Sequence, residues 1–142
     1  MPTLEEIIEN LKGYTEQGNK VSKLIKDGEM KIQLLDDAKF EQILIDDGDT
    51  AIQAARTEAW VDGQVAYFRT STPIEYIMSS IVHEGTHALD RISGFSLNAT
   101  VRQLEKRAFF FEQQFQKAAG ILVEHPDLNK LSQWIEKEPL YN

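Results

Sequence analysis

The sequence contains no cysteine. That excludes disulfides, thiolate metal sites, thiol nucleophiles and iron–sulfur clusters together, and leaves the redox compartment open. No apolar run is long enough to span a bilayer, and the stretch behind Met1 is polar and amphipathic rather than a secretory signal. A basic patch is also missing. The 15 Lys and Arg residues are scattered among 23 Asp and Glu, giving a net charge of -8. Such a surface repels phosphate backbones, so no nucleic-acid partner and no membrane span are expected. No repeat, low-complexity tract or Pro/Gly/Ser linker divides the chain. Its 142 residues, 42% hydrophobic, predict one domain over 1–142 with a single core.

Three blocks follow one another. Thr3, with Glu6 three residues on, predicts a capping box ahead of Leu4, Ile7, Ile8 and Leu11, and Gly13 stops that helix. Val21, Leu24 and Ile25 predict a second helix ending at Gly28. The middle block is strand-like. Met30, Ile32 and Leu34 alternate, Phe40–Leu44 fits a short helix or a strand equally, and Asp46-Asp47-Gly48-Asp49 reads as a solvated turn. It lacks the spaced ligands and closing Glu of a calcium loop. Asp62-Gly63 between Thr57–Val61 and Gln64–Arg69 predicts a type I′ hairpin. The last block is helical. Thr72 caps, Pro73 takes the first helical position, and an apolar stripe from Ile74 to Leu89 runs to Gly94. A second helix is predicted over 99–119 and a third over 127–137, ended by Pro139. The fold class is therefore α+β.

Chemistry concentrates at His83-Glu84-Gly85-Thr86-His87. On a helix, positions i and i+4 stack one above the other about 6 Å apart, so two imidazoles can converge on one zinc. Glu84 then projects beside the metal and serves as general base for an attacking water. Two His ligands leave one protein ligand to find, and Cys is unavailable. Asp90 lies too far along the same helix for so short a side chain. It reads either as an acceptor orienting His87 or as a surface carboxylate. If the next helix folds back antiparallel, about 10 Å of rise carries the pair's midpoint to the helix end and returns near Glu105. Glu112 overshoots by about two turns and is the rival ligand, or a residue behind the ligands. The other histidine, His125, sits in a Glu-His-Pro junction far along the chain.

The segment from Ser80 to Asp90, followed by Glu105-Lys106-Arg107-Ala108, resembles the minimal core of gluzincin-type zincin metallopeptidases. The resemblance covers roughly residues 55 to 120 and is specific for zincins but not for a subfamily. It implies a minimal zincin-like fold, with N-terminal helices, a small sheet with a hairpin edge, a motif helix and a following Glu-bearing helix. It implies Zn²⁺ held by His83, His87 and Glu105, with Glu84 as general base. It also implies a peptide or protein substrate lying along an edge strand, here the Thr57–Arg69 hairpin. The expected activity is peptide-bond hydrolysis; the alternative is a non-catalytic peptide-binding module on the same scaffold. Small zincins of this kind resemble bacterial effector or toxin domains and short intracellular peptidases. The expected location is thus soluble, cytoplasmic or delivered within a larger protein, with the oligomeric state open. The chain is too short for the second domain of the larger gluzincins. No motif marks the oxyanion-stabilising group, for which Tyr67, Tyr76, Arg91 and Arg102 are candidates. Trp60 and Trp134 read as core or rim aromatics. Of Phe109-Phe110-Phe111, one or two must face the core and the other a groove or partner surface.

Overall fold

The computed structural model describes residues 2–141. It is an α+β chain of seven α-helices and a three-stranded mixed sheet among the described residues. Helices α1 (Leu4–Asn10) and α2 (Glu16–Lys26) come first, then strand β1 (Lys31–Leu35) and helices α3 (Asp37–Asp46) and α4 (Ala51–Arg56). Strands β2 (Ala59–Asp62) and β3 (Val65–Arg69) form the hairpin. They are followed by α5 (Ile74–Ile92), α6 (Val101–Ala119) and α7 (Leu128–Lys137). None of the described helices is long and apolar enough to cross a membrane.

Side-chain caps set many of these boundaries. Thr3, Thr15, Asp36, Thr50, Thr100 and Asp127 each accept a hydrogen bond from a backbone N–H in the first turn of the helix that follows. Helix α5 departs from its expected start. Pro73, at φ -54°, occupies the cap position itself, and no side chain caps the helix. Gly94, at φ 85°, turns the chain out at the other end, as its position after the apolar stripe predicts. The ambiguous Phe40–Leu44 stretch is helical, and it buries Phe40 and Leu44 one turn apart. Helix α4 was not anticipated; its signal is a full capping box between Thr50 and Gln53.

The sheet order is β1-β3-β2, with β1 parallel and β2 antiparallel to β3. Asp62 pairs with Val65, so the two-residue turn is Gly63-Gln64, one residue later than Asp62-Gly63. Gly63 carries the positive φ (60°) that the turn requires. Strand β2 has no second strand partner among the described residues, which leaves one hairpin edge open.

The main core joins Ile7, Leu11 and Val21 of the N-terminal helices to Ile32 and Phe68 of the sheet, Ile77, Ile81 and Val82 of α5, and Phe115 of α6. A smaller cluster of Phe40, Leu44 and Ala54, backed by Trp60 and Tyr67, fills the other side of the sheet. Arg69 stitches that side together. It donates to the carbonyls of Thr57 (2.7 Å) and Ala54, pairs with Asp37 and Glu41, and lies over the Phe40 ring. Helix α5 is the hub, packed on α2, α6 and β3. Its contact with α2 is so close that a Cβ on Gly85 would meet Val21 Cγ1 at 2.5 Å and Cγ2 at 2.7 Å. The next residue, Thr86, is fully buried; its hydroxyl donates to the Val82 carbonyl and accepts from Gln17 Nε2.

Candidate metal centre

The site lies where α5 and α6 run side by side. His83 and His87 fall one turn apart on α5, and their rings meet edge to face at 5.0 Å between centroids. Both Nε2 atoms point at a single oxygen from α6. His83 Nε2–H donates to Glu105 Oε1 at 3.1 Å and His87 Nε2–H donates to the same atom at 2.5 Å. One ligand atom from each of the three residues lies within 4.8 Å of the others. Zinc at about 2.0–2.1 Å from each donor needs ligand atoms about 3.3 Å apart, so a slight opening of this cluster accommodates the ion. Two imidazoles and a carboxylate are a donor set that zinc accepts.

Glu112, two turns beyond Glu105 on α6, reaches the other side of the same ring. His83 Nδ1–H donates to Glu112 Oε1 at 2.9 Å, and both residues are buried. This bond holds a proton on Nδ1 and leaves Nε2 facing Glu105. Burial pushes the His83 imidazolium toward neutrality, but the hydrogen-bonded carboxylates of Glu105 and Glu112 outweigh it and lift the pKa to about 10. Burial likewise pushes Glu105 up, and the two histidines reverse it, holding its carboxyl well below the usual range.

Glu84 borders a cavity of about 200 Å³ next to His83, together with Tyr76, Ser80, Phe109 and, from the hairpin, Glu58 and Ala59. Burial raises its pKa, partly offset by His83 and His87 and reinforced by Glu105 and Glu112. A carboxylate whose pKa is raised in this way is a stronger base than a free one.

Several expectations are corrected here. Asp90 does not orient His87 and is not on the surface; it is buried, and both its oxygens accept from Arg107 Nε at 2.9 and 3.0 Å. Tyr67 stacks on Trp60 in the smaller cluster and does not line the cavity beside His83. The Arg102 guanidinium donates to the carbonyls of Ile135 and Glu138 and ties α7 to α6. Arg91 is an exposed residue of the last turn of α5. Of the four named candidates, only Tyr76 borders the cavity. A residue that carries no sequence signal joins the site instead. Tyr141, in the 3-10 turn Pro139–Tyr141, lies within electrostatic reach of the Glu105 carboxylate. Burial and the nearby charges of Glu105, Glu138 and Glu84 push this phenol up to about 12, so it remains a protonated donor. Its ring packs edge-on against Trp134. His125 lies near the centre through Phe109, whose ring contacts His83 at 4.6 Å on one side and His125 at 5.2 Å on the other. Phe111 packs against the main core while Phe110 stays exposed. Comparison with protein-family models, with curated proteins and with solved structures gives no match, so any functional reading rests on this geometry.

Proposed function

We propose that the protein is a zinc-dependent peptidase of gluzincin type. The observation that carries this reading is the convergence of His83 Nε2 and His87 Nε2 on one Glu105 oxygen, with the Glu84 carboxylate bordering the adjoining cavity. His83, His87 and Glu105 hold the metal, and Glu112 keeps His83 in the ligating tautomer. Zinc, when bound, supplies the Lewis acidity that makes water nucleophilic at neutral pH. Glu84 takes the proton of the water that adds to the scissile carbonyl and passes it to the departing amine. Tyr76 borders the cavity and Tyr141 interacts with Glu105; Tyr141, whose phenol is pushed up to about 12, is the donor assigned to the developing oxyanion. The open edge of β2, which begins beside Glu58 and Ala59 of the cavity wall, supports an extended peptide by strand addition.

The test has two arms. Protein purified without chelator is expected to carry about one zinc per chain, the complement of a single three-ligand site. Glu84→Gln is expected to keep that zinc and lose hydrolysis of unfolded protein substrates by at least about 100-fold. Zinc below half an equivalent, with no uptake on addition, overturns the metal reading. Zinc retained without hydrolysis of any substrate favours the non-catalytic module.

A further inference from the structure

We propose that the apolar cavity walled by Pro126, Leu131 and Trp134 is a subsite for a bulky apolar side chain of the substrate, at least about three residues from the bond that is cut. The inference deepens the peptidase reading and rests on it for the word substrate. The cavity encloses about 490 Å³ beside α7. Leu131 and Ile135 turn into the protein, at 8% and 0% exposure, whereas Trp134 on the same helix is 49% exposed and contributes its indole to the cavity wall.

Continuity with the candidate metal centre identifies the occupant. Glu124 and His125 wall this cavity and also the chamber that holds His83 and Glu84. The two spaces therefore share one partition. Two ring contacts, 4.6 Å from His83 to Phe109 and 5.2 Å from Phe109 to His125, span it. An extended peptide advances about 3.3 Å per residue, so at least about three residues carry a chain from His83 as far as His125, with Trp134 beyond it.

The wall is preformed. Gln113 Nε2 donates to the carbonyls of His125 (2.8 Å) and Pro126 (3.2 Å), and Gln116 Nε2 donates to Glu124 Oε1 at 3.1 Å. These bonds fasten the loop before α7 to α6. Asp127 caps α7 from the same loop, and Tyr141 buttresses Trp134 from the other flank. A rigid indole with a free face, in an apolar recess beside a reactive centre, is the form an anchor pocket takes.

Trp134 is one of only two tryptophans, so Trp60→Phe makes it the sole indole fluorophore while keeping an aromatic ring against Tyr67. Zinc-loaded protein carrying Trp60→Phe and Glu84→Gln is titrated with capped Ala/Ser decapeptides containing one Phe, walked along the peptide, and with the Phe-free parent. Saturable blue-shifted emission is expected with the Phe peptides, at roughly tenfold higher affinity than the parent. Adding Trp134→Ala is expected to abolish that tenfold difference, read by calorimetry. In protein with Glu84 intact, cuts are expected at a fixed spacing of at least about three residues from the Phe. Equal affinity for Phe and Phe-free peptides, or a preference that survives Trp134→Ala, overturns the subsite. An emission shift that follows protein concentration without peptide also overturns it, because a second copy then covers the indole. The titration needs no turnover, so a missing preference counts against the subsite, while missing zinc or missing cleavage counts separately against the peptidase reading.

Discussion

Glu112→Ala isolates the group that orients His83. The His83 ring is 9% exposed, and its Nδ1–H donates to Glu112 Oε1 at 2.9 Å. Metal binding at Nε2 requires the remaining ring proton to sit on Nδ1, where truncation removes its acceptor. A buried donor left unsatisfied costs about 1–3 kcal/mol. The metal-free imidazolium loses the same acceptor, but it can shed the Nδ1 proton and keep Nε2–H on Glu105, whereas the metal-bound ring cannot, so the larger share of the cost falls on the bound state. At about 1.4 kcal/mol per decade, zinc affinity is expected to fall about 5- to 150-fold. Glu112→Gln keeps an oxygen acceptor and is expected to lose less than about tenfold. Competition with a chromophoric chelator at fixed neutral pH measures both, with circular dichroism confirming native helix. If the Ala variant binds zinc within about twofold of the parent, the orienting role is refuted.

Four further outcomes are expected. Chelator-treated protein owes stability to the His83 imidazolium, whose pKa rises from 6.5 to about 10 on folding. This contribution is complete below 6.5 and lost as the pH climbs toward 10, so its Tm is expected to fall over that window, and the fall to be much smaller in His83→Gln. Gly85→Ala is expected to destabilise by about 1–2 kcal/mol in urea, since crowding against Val21 outweighs the gain in helix propensity, and Val21→Ala to recover part of the loss. Asp90→Ala leaves the Arg107 guanidinium without its carboxylate; Tm is expected to drop while zinc stoichiometry in elemental analysis holds, which separates this pair from the metal ligands. Arg69→Met removes one donor from each of two carbonyls and two carboxylates and is expected to cost about 3 kcal/mol by denaturant unfolding.

How far the site is readable in one dimension depends on distance along the chain. Helix α5 is legible because its apolar stripe and Gly94 are local signals, and rise per residue then brings Glu105 to the height of the histidines. The same arithmetic treats the histidine pair as one point. It cannot foresee that the two nitrogens of a single ring reach carboxylates two turns apart, as His83 does with Glu105 and Glu112. Asp90 was misread because the cation that claims it, Arg107, comes from the facing helix. Tyr141 carries no spacing rule at all; it reaches Glu105 only because α7 folds back along α6, held by Arg102 and by Lys106 on Glu136. The hairpin turn slipped by one residue because Asp62 has partner enough in Val65 to remain in the strand, leaving Gly63 to make the reversal.

The two middle positions of the His-Glu-x-x-His pattern are written as free, yet in this molecule neither is. Gly85 has no room for even a methyl group, and Thr86 is spoken for by Val82 and Gln17. Substitutions at 85 should therefore be inherited together with a change at Val21, and those at 86 with a change at Gln17. In a set of related chains, these two couplings would appear as correlated columns joining the second helix to the motif, a signature of descent that owes nothing to the ion.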